Sequence, residues 1–200
     1  ANSDFRYMTA QQIDIEDVPA FAIRISYVGE LGWELYAPTE FGARLWDILW
    51  DAGQPLGLVA AGGGAFDSLR LEKGYRLWGN DIHTEYNPYE AGLDFAVRLD
   101  KGEFIGRSAL IQVREEGVSK SLSCLVLDDP AHVVMGKEPI LVEGERIGYV
   151  TSANFGYAVG KSIAYGYLPP EQAEVGTRVE IEYFGRRYPA TVTHEPLYDP

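Results

Sequence analysis

From Ser119 onward, apolar residues fall at alternate positions in short runs separated by turn residues: Leu122 to Leu127, Ile140 to Val142, Ile147 to Ser152, Ile163 to Leu168, Val179 to Tyr183 and Tyr188 to Thr193. A side-chain period of two belongs to strands. Strands this short can bury their apolar faces only against one another, so the stretch is expected to close into a compact antiparallel sandwich or barrel. The chain ahead of it has a different texture, mixing helical and extended patterns. A division near Gly117 to Lys120 follows, giving an α+β region at 1–118 and an all-β region at 119–200.

In the first region Phe21, Ile23, Ile25 and Tyr27 alternate with Ala22, Arg24 and Ser26, and the alternation resumes at Trp33-Glu-Leu-Tyr36. Gly29 and Gly32 lie between them, so a hairpin or a related turn is expected, with Glu34 and Tyr36 on one face and Trp33 and Leu35 on the other. After Pro38, Thr39 is placed to cap a helix with apolar positions Phe41, Leu45, Ile48, Leu49 and Ala52, ended by Gly53. Leu58 to Ala61 reads as a short buried strand, and Gly62-Gly-Gly64 leads into a helix over Ala65 to Lys73 that Gly74 ends. Leu93, Phe95, Val97 and Leu99 alternate as a strand would, and Ser108 is placed to cap a helix running to about Gly117.

Composition narrows the functions. A formal charge of −13 over 200 residues provides no basic face for phosphate, which argues against nucleic acid. No apolar run of about 18 residues exists to span a bilayer, and the first residues lack the pattern of an export signal. With no initiating Met, the sequence is expected to be a processed or excised piece of something longer. One cysteine, Cys124, excludes an internal disulfide, fits a reducing compartment, and sits in an alternating run that suits the core. His83, His132 and His194 lie far apart, so no metal site is expected.

Three motifs bear on chemistry. Gly62-Gly-Gly64 between a strand and a helix has only part of the glycine spacing of a nucleotide loop, so a tight connection is the simpler reading. Arg70 and Glu72 stand two apart on one helix and cannot face each other; each is expected to have its own buried partner in a structural framework. Glu34 is the candidate ligand-binding residue. Beside Trp33 and Tyr36, its carboxylate can accept two parallel N–H bonds from a planar heterocycle, although a solvated strand glutamate explains the same residue.

Five ordered blocks carry a resemblance: SYVGELGWELY at 26 to 36, DSLRLEKGYRLWGND at 67 to 81, PYEAGLDFAVRLD at 88 to 100, FIGRSAL at 104 to 110 and GYVTSANFGYAVGKSIAYGYLP at 148 to 169. Together they resemble the folate-dependent aminomethyltransferase family of the glycine cleavage T-protein. The wording of GKEPILVEGERIGYVTSA and IEYFGRRYPATVTHEPLYDP is similar to the C-terminal part of dimethylglycine oxidase, dimethylglycine dehydrogenase and sarcosine dehydrogenase. The resemblance implies a ferredoxin-like folate-binding portion followed by a small C-terminal antiparallel β-barrel. It implies tetrahydrofolate as the cofactor, Glu34 as the residue that hydrogen-bonds the pterin, and Tyr27 as a second cofactor-binding residue. It further implies a flavin (FAD) domain elsewhere in a parent oxidoreductase, which makes an iminium whose carbon passes to tetrahydrofolate as 5,10-methylenetetrahydrofolate.

Alternatives within the resemblance are a free-standing aminomethyltransferase, a folate-linked demethylase, or a non-enzymatic folate-binding module. Members of the last kind that serve iron-sulfur assembly carry a functional cysteine, where this chain has Lys73-Gly-Tyr75. Two departures from the pattern stand out. Phe66 occupies the place of an arginine that helps hold folate, and the family's catalytic aspartate falls upstream of these residues, so no catalytic residue is assigned here. The implied location is cytoplasmic, or the mitochondrial matrix for a eukaryotic parent.

Overall fold

A computed structural model of the chain describes residues 3–199. Residues up to Phe66 form one compact unit, and Asp67–Asp199 form a second. The first holds an antiparallel sheet of β1 (Ala10–Ile15), β2 (Val18–Ile23) and β3 (Glu34–Tyr36), in that order. Val18, Ala20 and Ala22 are buried while Phe21 is 43% exposed, so the small side chains, not the large ones, take the inner face. The strand expected to run to Tyr27 stops at Ile23, and residues 24–33 form a longer connection in place of a tight turn.

A single turn of 3-10 helix, Thr39–Phe41, opens α1 (Gly42–Gly53), and Thr39 makes no side-chain capping bond. Gly53 does not end the helical path, which continues through Gln54–Leu56 and stops at Gly57, whose φ of 84° is left-handed. Gly53 is instead a packing position, since a Cβ there would stand 2.5 Å from Leu58 Cδ2. The strand expected at Leu58 to Ala61 does not form. These residues are exposed and line an apolar cleft of about 230 Å³ with Trp46, Leu49 and Trp50. Four apolar residues carry no periodicity of their own, and a strand also needs a neighbour to take its backbone groups.

The division between the units falls within α2 (Gly63–Glu72), which Gly74 follows with φ of 75°. Beyond it Leu93 to Leu99 is irregular, not a strand. Asp94–Ala96 makes a 3-10 turn and leaves Phe95 76% exposed. The helix expected from Ser108 is α3 (Arg107–Glu116), entered through Gly106 at φ 90°, so Ser108 lies inside it and caps nothing.

The remainder is the expected antiparallel barrel. Its strands are β4 (Ser121–Leu127), β5 (Pro139–Val142), β6 (Glu145–Gly156), β7 (Lys161–Leu168), β8 (Arg178–Tyr183) and β9 (Arg186–Thr193), closed in the order β4-β7-β6-β5-β8-β9 by pairing of β9 with β4. Leu125, Ile140, Val150, Ala164, Ile181 and Val192 belong to its interior core. A second cluster joins Leu71 of α2 to Leu122, Cys124, Ile163, Tyr165 and Tyr167. Strand β7 therefore has both faces covered, with Ala164 and Leu168 in one cluster and Ile163, Tyr165 and Tyr167 in the other.

Cys124 is in the core, as expected, 2% exposed. Burial pushes its thiol up to about 12, an effect that the neighbouring Tyr165 hydroxyl partly offsets. The native thiol is expected to resist a chromogenic disulfide reagent at pH 8 and to react fully in denaturant, because the thiolate is the nucleophile. Rapid labelling of the folded chain would contradict the assignment. The linkage has a definite sign. At neutral pH both states hold the proton, whereas rising alkalinity ionises the unfolded thiol first, so stability falls as pH climbs toward about 12.

Candidate functional site

The residues of the Glu34 region gather within the first unit. Glu34 opens β3 opposite Ile23, and two residues on Tyr36 lies opposite Phe21, so Glu34 and Tyr36 share a face as the parity requires. The Tyr36 hydroxyl donates to Glu34 Oε2 at 2.5 Å. That bond, followed by the negative charge of Glu34, raises the Tyr36 pKa, so the phenol stays a donor. Tyr36 is a residue that the sequence reading placed beside Glu34 without giving it a role. The signal was present, since i and i+2 on a strand point the same way.

The connection ahead of β3 is packed. Trp33 is 46% exposed, with its ring edge-on to Phe5 at 6.3 Å and the Arg24 guanidinium 5.4 Å from its centroid. Arg24 is itself buried and donates to the Phe5 carbonyl at 2.5 Å, while its Nε is enclosed with no hydrogen-bond partner among the described residues. Gly29 takes a left-handed φ of 77°. Gly32 folds back on Ile25 and Ser26, where a Cβ would stand 3.3 Å from the Ile25 carbonyl oxygen. Tyr27 stacks on Phe66, with ring centroids 5.1 Å apart at 26°. Glu34 thus sits with Tyr36 and Tyr27 with Phe66. Phe66 is also the residue at the place of the expected arginine.

Chemically, the Glu34 carboxylate is an exposed acceptor with one oxygen steadied by a phenol and an indole adjacent in sequence. Such a group can receive the paired N–H donors of a flat heterocycle, with aromatic surface nearby to cover it. Tyr36 also lines a cleft of about 460 Å³ with Gln12, Asp14, Pro19, Phe21 and Pro38.

The second unit carries a buried polar framework. Arg70, 1% exposed, donates to Asp81 Oδ2 at 2.7 Å, Ser152 Oγ at 2.9 Å, Asp67 Oδ1 at 2.8 Å and the Tyr75 carbonyl at 3.1 Å. Glu72 receives the N–H groups of Ala158 and Val159 on Oε1, at 2.7 and 3.2 Å. Arg70 and Glu72 therefore have separate partners, as their spacing demands.

Comparison with known proteins identifies this arrangement. Residues 1–101 match the GCVT N-terminal domain, and residues 120–199 match the glycine cleavage T-protein C-terminal barrel domain. The chain belongs to the glycine cleavage T-protein family. Dimethylglycine dehydrogenase, mitochondrial, of Rattus norvegicus is 42% identical over 96% of this chain and 23% of its own length. The 4-methylaminobutanoate oxidase (formaldehyde-forming) of Paenarthrobacter nicotinovorans is 39% identical over 98% of this chain and 24% of its own. An aminomethyltransferase of Symbiobacterium thermophilum is 39% identical over 96% of this chain and 52% of its own. Among solved structures, the glycine cleavage system aminomethyltransferase T of Bartonella henselae superposes with a TM-score of 0.89 at 28% identity, covering all of this chain and 54% of that one. The chain thus spans under a quarter of the oxidoreductases and about half of the aminomethyltransferases.

The mixed α/β architecture with a closed six-stranded barrel agrees with this membership. Among the described residues, no helix is long and apolar enough to cross a membrane.

Proposed function

We propose that this chain is the tetrahydrofolate-handling portion of a flavin-linked oxidoreductase of the dimethylglycine or sarcosine type, with residues 1–118 carrying the folate-binding region and 119–200 the barrel. The observation that carries the reading is a carboxylate, Glu34, steadied by Tyr36 at the head of β3, in a chain that matches both domains of a one-carbon family along nearly its whole length. The donor set suits a pterin. Glu34 is acceptor-only and the pyrimidine edge of a pterin is rich in N–H, while the stacked pair of Tyr27 and Phe66 supplies flat apolar surface.

Bound tetrahydrofolate would supply two nitrogens able to take up a one-carbon unit. This chain's own part is to bind and orient. Glu34 fixes the plane and register of the ring, Tyr36 holds the carboxylate in one rotamer, and Tyr27 covers a face. Holding a reactant in one geometry is the main contribution a binding portion can make to transfer. The iminium that feeds the transfer, and the FAD that makes it, belong in this reading to a separate domain of the parent. The higher identity to dimethylglycine dehydrogenase than to the aminomethyltransferases favours the oxidoreductase parent.

Titration with tetrahydrofolate tests the assignment. Converting Glu34 to Gln replaces an acceptor oxygen with a donor and removes the charge, and is expected to weaken binding roughly ten- to a hundred-fold. Glu30→Gln, in the connection, is expected to bind as the parent does. Equal binding by Glu34→Gln, with both variants melting cooperatively, would remove Glu34 from the site.

A further inference from the structure

The second unit contains a cleft that the proposed folate site does not use. Arg107 and Arg114 stand seven residues apart on α3, two helical turns, and so share a face. Alongside runs the irregular segment from Val97 to Asp100, fastened by a bond of 2.8 Å from Arg107 Nε to the Leu99 carbonyl. Between them lies a cavity of about 560 Å³, bordered by Tyr89, Asp94, Arg98 and Asp100 as well as the two helix arginines. A volume of that size is in the range of small-molecule sites, about 300–1,000 Å³.

The cleft gathers three cations in an acidic chain. Carboxylates outnumber cations, 30 to 17, and several exposed arginines elsewhere pair with them, Arg44 with Glu16 and Asp17, Arg178 with Asp128 and Arg187 with Glu180, whereas Arg146 and Arg186 stand singly, with no ion pair among the described residues. The guanidinium groups of Arg98 and Arg114 make no hydrogen bond or ion pair with any described residue. Arg107, besides its bond to the Leu99 carbonyl, has as its one ionic contact among the described residues a distance of 3.4 Å to Glu103, whose side chain is 89% exposed. Asp94 and Asp100 border the same cavity and form an ion pair with none of the three. Moreover, α3 begins at Arg107 with no side-chain cap, which leaves the positive end of its dipole unneutralised there.

We propose that this cleft binds a small dicarboxylate that also carries an ammonium or N–H group. The three guanidinium groups, planar forks that match carboxylate geometry, take its two carboxylates. Asp94 and Asp100 take the nitrogen. Three cations against two carboxylates leave one net positive charge, which an acidic amino acid, with two carboxylates and one ammonium, balances. The site lies wholly within residues 89–114 and uses neither Glu34 nor Tyr27, so it stands independently of the folate reading.

The test is a calorimetric titration of the whole chain with L-glutamate, glutarate and pyrophosphate, with the arginine Nε–H resonances followed in parallel. L-glutamate is expected to bind, to shift the Arg98 and Arg114 signals, and to outcompete glutarate, which lacks the nitrogen. The double variant Arg98→Ala, Arg114→Ala is expected to lose at least about tenfold in affinity, as the loss of charged hydrogen bonds implies. Arg186→Ala, an exposed arginine of the β8–β9 hairpin, is expected to leave binding unchanged. The proposal is overturned if L-glutamate fails to bind, if a cooperatively folded double variant binds it as the parent does, or if pyrophosphate binds more tightly than either carboxylate.

Discussion

Replacing Arg70 with methionine is expected to cost about 3–5 kcal/mol of stability and to lower the melting temperature by roughly 10 °C or more. The size of the effect comes from what is left behind. Asp81 is 1% exposed, and Arg70 is its ionic partner; without it, the carboxylate retains the Leu77 N–H at 2.9 Å and the Thr151 hydroxyl at 2.5 Å. Two neutral donors do not offset a charge held away from water. Ser152 Oγ and the Tyr75 carbonyl lose a donor as well. The double variant Arg70→Met, Asp81→Asn removes both charges and is expected to recover part of the loss. Thermal denaturation followed by circular dichroism measures both. A single variant melting within about 2 °C of the parent would show that the ion pair does not hold α2 to the barrel.

That framework shows where sequence reasoning reaches and where it stops. The i, i+2 spacing of Arg70 and Glu72 was enough to say that they have different partners, because helix geometry is local. It held nothing about which partners. Ser152 is 82 residues beyond Arg70 and Ala158 is 86 beyond Glu72. The barrel strands were legible for the opposite reason. Closure gives every strand an inner face, so the period of two shows in most of them, broken where the register shifts in the β5–β6 and β6–β7 ladders. Each expected run falls within one observed strand, with differences confined mainly to the ends.

Elsewhere the same rule misled. Alternation at Leu93 to Leu99 had no neighbouring strand to pair with, and a 3-10 turn took its place. Strand β1 was not read at all, because Ala10, Gln11 and Gln12 are exposed and offer no apolar contrast. In the candidate site, parity put Glu34 and Tyr36 on one face. The pairing of Tyr27 with Phe66 required a contact across 39 positions, which no local pattern encodes.

Gly148→Ala is expected to cost about 3 kcal/mol or more, as overpacking against backbone does at its upper end. In β6, a Cβ at this position would lie 2.0 Å from the Tyr167 carbonyl oxygen of β7. That is backbone, not the end of a flexible side chain, so relief requires the two strands to separate. The pairs next along the ladder, Tyr149 with Tyr167 and Val150 with Gly166, would be the first to suffer. Gly166 makes the fit tighter, since a Cβ there would meet Ile140 Cδ1 at 2.5 Å and the Tyr149 oxygen at 2.7 Å. Glycine at 148 and 166 is therefore what lets β6 and β7 approach. Gly64→Ala is the matched control: it lies in α2 with nothing within 4 Å of the added carbon, and is expected to stabilise by about 0.5–1 kcal/mol. Denaturant unfolding of the two variants beside the parent separates the cases. If Gly148→Ala unfolded at the same midpoint as Gly64→Ala, close approach of β6 and β7 would not be what glycine provides there.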